Sequence, residues 1–245
     1  MKDTAIVMYS HSSYSDAWGM FFGQIDKYIP YKVPRYIICD KWSENIPSYW
    51  NCITYDEGLD YAKRVSTSLR HVKEKYCIFH HEDMPLHKQP DLEKIEKYNK
   101  ILDKNDDISY IKLVRGGLYE DIKEQKAHKE SETLYELESD HYFLFAVQPS
   151  MWKTEHLEKV YKTCKIEHIR EFELVATEIC KYFKVKGLYH FAGENKRGLY
   201  HWDSDVYPYV ATAIVKGKWN ISEYNKELIP LTEEYNVDVY KRGIV

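Results

Sequence analysis

Up to residue 83 the chain alternates between two hydrophobic periods, and that alternation restricts its fold more than any other feature. Thr4 to Tyr9 (TAIVMY) is an almost unbroken apolar run, as a strand buried on both faces requires. Trp18, Phe21, Phe22, Ile25 and Tyr28 then recur at helical spacing, with Ser13 and Asp16 placed as a capping box. Arg35 to Cys39 (RYIIC) reads as a second buried strand that closes on Asp40, and Cys52 to Tyr55 as a short third one. Leu59, Ala62, Val65, Leu69 and Val72 form one helical stripe, and Tyr76 to Phe79 the next strand. This order predicts an α/β fold, a mostly parallel sheet with helices on its faces.

The rest is less regular. Pro90-Asp91 opens a helix carrying Leu92, Ile95, Tyr98 and Leu102 on one side. Ile108 to Val114 and Tyr142 to Val147 read as strands, and the charged stretch 119–140 as a loop or a solvated helix. Helices are predicted near 154–164 and 170–183, a short strand over Gly187 to Phe191, and a short helix from about Ser222. With 245 residues, 44% of them apolar, no repeats and no low-complexity linker, one domain is expected.

The net charge of −4 is small and well mixed, which argues against nucleic acid as the main partner. The 23 tyrosines either reflect an AT-rich genome or supply flat, hydrogen-bonding surfaces for sugars and bases. Five cysteines without a C-x-x-C read as buried thiols in a reducing compartment. The apolar run Ala5 to Met8 is too short for a signal peptide, and no stretch has the length of a membrane span. A cytoplasmic protein with no transmembrane segment is the expectation.

In parallel α/β sheets, ligands bind beyond the C-terminal ends of the strands. Three polar clusters fall at such ends: Ser10 to Ser13, Asp40, and the run FHHEDMPLH over 79–87. The last admits three readings. His80, His81, Glu82 and His87 make a zinc-dependent hydrolase conceivable, although adjacent histidines on a strand face opposite ways and there is no H-E-x-x-H. Glu82-Asp83 suits Mg²⁺ or Mn²⁺, which needs only one or two carboxylates and completes its shell with water and phosphate. A solvated acidic turn is the third.

The helix Tyr61 to Val72 followed by YCIFHHEDM, then FAVQPSMWK (145–153), REFEL (170–174) and IVKGKWN (214–220), follow one another along most of the chain. In that order they resemble segments of a group of small GT-A-fold glycosyltransferases from large DNA viruses and bacterial surface-polysaccharide clusters. The departure is Glu82, where the group tends to have Asp. The resemblance implies a GT-A-like (Rossmann-like) fold over 1–245, with 1–83 as the nucleotide-binding half and 84–245 as the acceptor-binding half. It implies transfer of a sugar from a UDP-, GDP- or dTDP-sugar to a glycan acceptor, with Mn²⁺ or Mg²⁺ on Asp83 and Glu82 and His81 as their neighbour. Tyr9, Ser10, His11 and Asp40 would line the nucleoside pocket, with Asp40 accepting from the base, and Arg64, Lys216 and Lys218 would meet the phosphates. Gln148 and Trp152 would shape the acceptor or donor sugar site, with a place in the core as the other reading of Trp152. Glu173 would be the general base, flanking an apolar stripe and so expected to be partly buried, with Glu171 and Asp203 as rivals. The neighbourhood of His190 and His201 would offer a further metal ligand. A non-catalytic sugar or nucleotide binder on the same fold is the remaining alternative.

Overall fold

The computed structural model describes residues 1–116, 126–166, 171–197 and 201–245. Its centre is an eight-stranded sheet in the order β3-β2-β1-β4-β7-β5-β8-β6. The strands are β1 (Thr4–Tyr9), β2 (Arg35–Cys39), β3 (Asn51–Thr54), β4 (Tyr76–His81), β5 (Ile108–Lys112), β6 (Leu134–Glu136), β7 (Ser150–Lys153) and β8 (Lys186–His190). The first four run parallel, as the alternating pattern predicts. β7 lies antiparallel to both β4 and β5, and β6 lies antiparallel to β8.

Six helices supply the two covering layers: α1 (Ser15–Tyr28), α2 (Tyr61–Leu69), α3 (Leu92–Lys104), α4 (Thr154–Thr163), α5 (Phe172–Tyr182) and α6 (Ile221–Glu234). One core joins the sheet to α1, α3 and α6 through Trp18, Phe21, Tyr98, Leu102 and Leu228. The other joins it to α2, α4 and α5 through Val65, Leu69, Tyr161, Phe172 and Ala176. Asp60 caps α2 by accepting from the Lys63 amide at 2.9 Å, and Asp91 caps α3 by accepting from the Lys94 amide at 2.8 Å. Two short antiparallel pairs follow, β9 (Lys196–Arg197) with β10 (His201–Trp202), and the hairpin of β11 (Ile214–Val215) with β12 (Lys218–Trp219). A last turn of helix, α7 (Val239–Arg242), packs near β12.

Four sequence expectations change. The Ser13–Asp16 capping box does not form. A 3₁₀ turn over Ser12–Tyr14 precedes α1, the His11 ring accepts from the Ser13 amide, and Asp16 pairs with Arg242. Tyr142 to Val147 is not a strand; the strand comes later, at Ser150–Lys153, where side chains on both faces are buried. Within 119–140, residues 119–125 lie outside the described set, and Leu134–Glu136 is a strand anchored by the fully buried Leu134. The helix expected from about Ser222 is not short: α6 runs 14 residues with a non-helical Tyr224 and Pro230 inside it.

Candidate functional site

Strand register brings the polar ends together. β1 pairs with β4 so that Met8 faces His80 and Tyr9 faces His81, which sets Ser10 beside Glu82 at the rim. On its other side β1 pairs with β2, Tyr9 facing Ile38, which brings Cys39 and Asp40 to the same edge. Ser10 is held from two directions: its hydroxyl accepts from Trp18 Nε1 at 2.7 Å and its carbonyl accepts from the Tyr55 hydroxyl at 3.1 Å.

A cleft of about 290 Å³ opens at this rim, lined by Tyr9, Ser10, His11, Arg64, Glu82 and Asp83 among the expected residues. Tyr14, Tyr55, His81 and Ile214 complete it. The Tyr9 and Tyr55 rings stack at 5.4 Å, and the Arg64 guanidinium lies 5.1 Å from the Tyr55 centroid. Arg64 also donates to the carbonyls of Leu59 and Glu57, so its position is fixed without a ligand.

A second cleft, about 280 Å³, abuts the first and shares His81 and Asp83 with it. Glu173 lines this one together with Tyr61, Val147 and Phe172. Glu173 is exposed rather than partly buried, because it stands on the solvent side of the first turn of α5. Its Oε1 accepts the Val147 amide at 2.6 Å, which holds the carboxylate beside another residue of that cleft.

Glu82 is only 8% exposed and Asp83 is partly buried. Burial pushes both carboxyls above the usual carboxylate range, and the Asp83 charge pushes Glu82 further. Asp83 is tied to the β11 region, its carbonyl accepting the Ala213 amide at 2.9 Å. His81 shares a 2.8 Å hydrogen bond with the Tyr61 hydroxyl, and burial depresses its pKa to about 4, so it stays neutral near pH 7.

Several expected residues belong elsewhere. Asp40 does not line the cleft: its Oδ1 accepts the Ser12 amide at 2.6 Å and its Oδ2 the Ser12 hydroxyl at 2.7 Å. Burial raises its pKa, but those bonds outweigh burial and hold it below the ordinary value. Trp152 is 3% exposed and stacks on Tyr110 at 4.1 Å, because the inward face of β7 needs a large apolar group there. Gln148 is buried against Gly116, and Val147 reaches the second cleft in its place. Lys216 and Lys218 point to solvent from the β11–β12 hairpin, which offers Ile214 to the cleft instead. Asp203 pairs with Arg197 at 3.2 Å, and Glu171 is exposed; neither borders the second cleft.

The zinc grouping does not assemble. His80 packs between the rings of Phe21 and Tyr207 on one face of the sheet, His81 among Tyr9 and Tyr61 on the other. The His87 amide is bonded to the Pro208 carbonyl, outside both clefts. Among the described residues two other groups bring three ligand atoms within 4.8 Å of one another, His11/Asp40/Glu57 and His190/Glu194/Asp205. In the second, the fully buried His190 is bonded through Nε2 to Glu194 at 2.7 Å and Asp205 at 2.5 Å, and through Nδ1 to Tyr98 at 2.8 Å. It is closed by its own hydrogen bonds and borders neither cleft.

Sequence reasoning missed Tyr14, Tyr55 and Ile214. Tyr14 directly follows the polar cluster Ser10 to Ser13 and Tyr55 closes the expected third strand, so both were readable as rim residues; Ile214 was readable only as part of a motif.

The mostly parallel sheet, its flanking helices and a cleft at the strand ends define a single-domain, GT-A-like architecture. No protein-family model matches the sequence, and neither does any curated protein. Among solved structures, the chain is similar to S. aureus TarS 1-349, with a TM-score of 0.52, 13% identity, and coverage of 97% of this chain and 67% of that one. Against S. aureus TarS the TM-score is 0.53 at 11% identity, covering 97% of this chain and 40% of that one. The structure of TarS 1-349 in complex with UDP-GlcNAc superposes at a TM-score of 0.49 and 13% identity, over 79% of this chain and 59% of that one. At such identities the likeness is one of fold.

Proposed function

We propose that this chain is a metal-dependent glycosyltransferase that moves a sugar from a nucleotide-diphosphate donor to a glycan acceptor. One observation carries the reading: Asp83 borders both clefts, so a donor in the first and an acceptor in the second would meet across one carboxylate. The ordered resemblance to small GT-A-fold glycosyltransferases and the GT-A-like sheet support it.

Two neighbouring carboxylates whose burial disfavours their charge are an oxygen donor set that a hard divalent cation suits. Asp83, with Glu82 beside it, would hold Mn²⁺ or Mg²⁺. When bound, such an ion stabilises the negative charge that develops on a diphosphate leaving group. Arg64, fixed over Tyr55, adds a positive charge in the same cleft. Tyr9, Ser10 and His11 form the floor against which the nucleoside would sit.

In the second cleft Glu173 takes the acceptor's hydroxyl proton. Its Oε1 is occupied by the Val147 amide, and Oε2 makes no hydrogen bond among the described residues, which leaves it free to accept that proton. As the proton leaves, the acceptor oxygen bonds to the anomeric carbon and the bond from that carbon to the diphosphate oxygen breaks. A nucleoside diphosphate is released. Screening UDP-, GDP- and dTDP-sugars for Mn²⁺-dependent thermal stabilisation tests the reading, since a ligand of the folded state raises its melting temperature. Stabilisation by one nucleotide class, abolished by EDTA, is expected; none from any of them would refute it.

A further inference from the structure

We infer that Arg242 is a positioning residue of the first cleft: it ties the turn after β1 to the β11–β12 hairpin and so sets the spacing of two cleft walls. The inference rests on the donor reading of that cleft and adds a residue far from it in sequence.

The contacts on Arg242 are numerous for one side chain. Its Nε donates to Asp16 Oδ2 at 2.5 Å, and its Nη2 donates to Asp16 Oδ1 and to the Ser13 carbonyl. Its guanidinium carbon lies 4.6 Å from the centroid of Tyr14, the residue that lines the cleft. The two ion-paired side chains are only 15% and 26% exposed, so the pair is partly shielded from solvent. Arg242 therefore grips the carbonyl, the ring and the carboxylate of one turn together.

Its other end is anchored equally firmly. Asp238 starts α7 by accepting the Tyr240 amide at 3.0 Å. Gly243 turns the chain at φ 81°, a conformation that favours glycine. The Trp219 amide then donates to the Gly243 carbonyl at 3.0 Å, and the Val245 amide to the Trp219 carbonyl at 2.9 Å. Trp219 is fully buried and belongs to β12, whose partner β11 carries Ile214 into the same cleft. One short segment thus fastens the wall formed by Tyr14 to the wall formed by Ile214.

Residues 10–14 bridge β1 and α1, and apart from Arg242 they are held by short polar links, Ser10 to Trp18 and Tyr55, Ser12 to Asp40 and Ser13 to His11. A planar fork is suited to fixing such a turn, and a lysine cannot reproduce it.

Arg242→Ala and Arg242→Lys are compared with the native protein in two measurements. Hydrogen exchange without ligand should quicken at residues 12–16 in both variants, while the central strands keep native protection. Calorimetry with Mn²⁺ and UDP, GDP or dTDP should show binding about tenfold weaker in both variants, a loss of about 1.4 kcal/mol. Unchanged exchange at 12–16 overturns the inference. Full recovery of binding by lysine overturns it too, because charge and not geometry would then be what matters. If exchange quickens as expected but the native protein binds none of the three nucleotides, the donor reading fails, and the role assigned to Arg242 fails with it.

Discussion

The Val147 amide donates to Oε1 of Glu173 at 2.6 Å, joining the loop before β7 to the first turn of α5. An exposed glutamate early in a helix ordinarily samples several rotamers, stabilised only by the helix dipole. Here one oxygen is pinned, and the residue lines a cleft that Asp83 also borders.

Glu173→Gln keeps an oxygen that can accept from Val147 and removes the base. Transfer should fall by about 10²–10⁴-fold, the usual contribution of a positioned general base. Donor binding should stay within a factor of about two, since Glu173 does not line the first cleft. Steady-state kinetics paired with calorimetry check this; a near-native rate removes Glu173 as base.

Asp83→Asn preserves shape and removes the charge at the shared wall. Metal-dependent nucleotide binding should weaken by at least about tenfold, while the melting temperature without ligand stays the same or rises. The rise follows from burial, which makes the charged form of Asp83 costly in the folded state. Titration calorimetry with and without EDTA decides it, and equal metal dependence in variant and native would exclude Asp83 as a ligand.

Lys112, 2% exposed on β5, donates to the Phe143 carbonyl, and burial pushes its pKa down to about 8. An unfolded lysine titrates near 10.4, so between about pH 8 and 10.4 the unfolded chain holds one more proton. Stability therefore rises with pH in that window, and the penalty of the buried charge is fully present below it. Lys112→Met should be more stable than native at pH 7. Its advantage should shrink by about 1.4 kcal/mol per pH unit above 8 in urea unfolding. An advantage that does not change with pH would show that Lys112 is not desolvated.

Trp152→Ala should destabilise by about 3–5 kcal/mol, the cost of emptying a large aromatic site in a packed core. Variant that remains folded at low temperature should bind nucleotide as the native protein does. Specific loss of sugar affinity at native stability would return Trp152 to the site. Gly187→Ala should also destabilise, because an added Cβ would lie 2.1 Å from the Tyr110 ring on which Trp152 stacks.

Much of the fold was legible because its signals are local. β1 and β2 have the bounds that their apolar runs suggest, and the stripe from Leu59 to Val72 contains α2. The polar residues after each parallel strand pointed to the rim, since strand ends of like direction must share one edge. Ser10, His11, Glu82 and Asp83 pointed there for that reason, while Tyr9 and Arg64 came only through the resemblance. Trp152 and Gln148 misled because a motif carries core and site residues alike, and only packing separates them. β7 was misplaced because an antiparallel strand buried on both faces has no period to distinguish it from the apolar turn before it.

The chain's own residues thus determined the parallel half of the sheet, the helices that cover it and the acidic corner at its edge, all encoded within a few neighbours of one another. Only the tertiary structure decided that β7 enters between β4 and β5, that Glu173 and Asp83 line one cleft, and that Arg242 reaches Asp16, 226 residues away. Contacts so distant along the chain arise from how layers pack and which registers bury the most apolar surface. No local pattern of residues records that outcome.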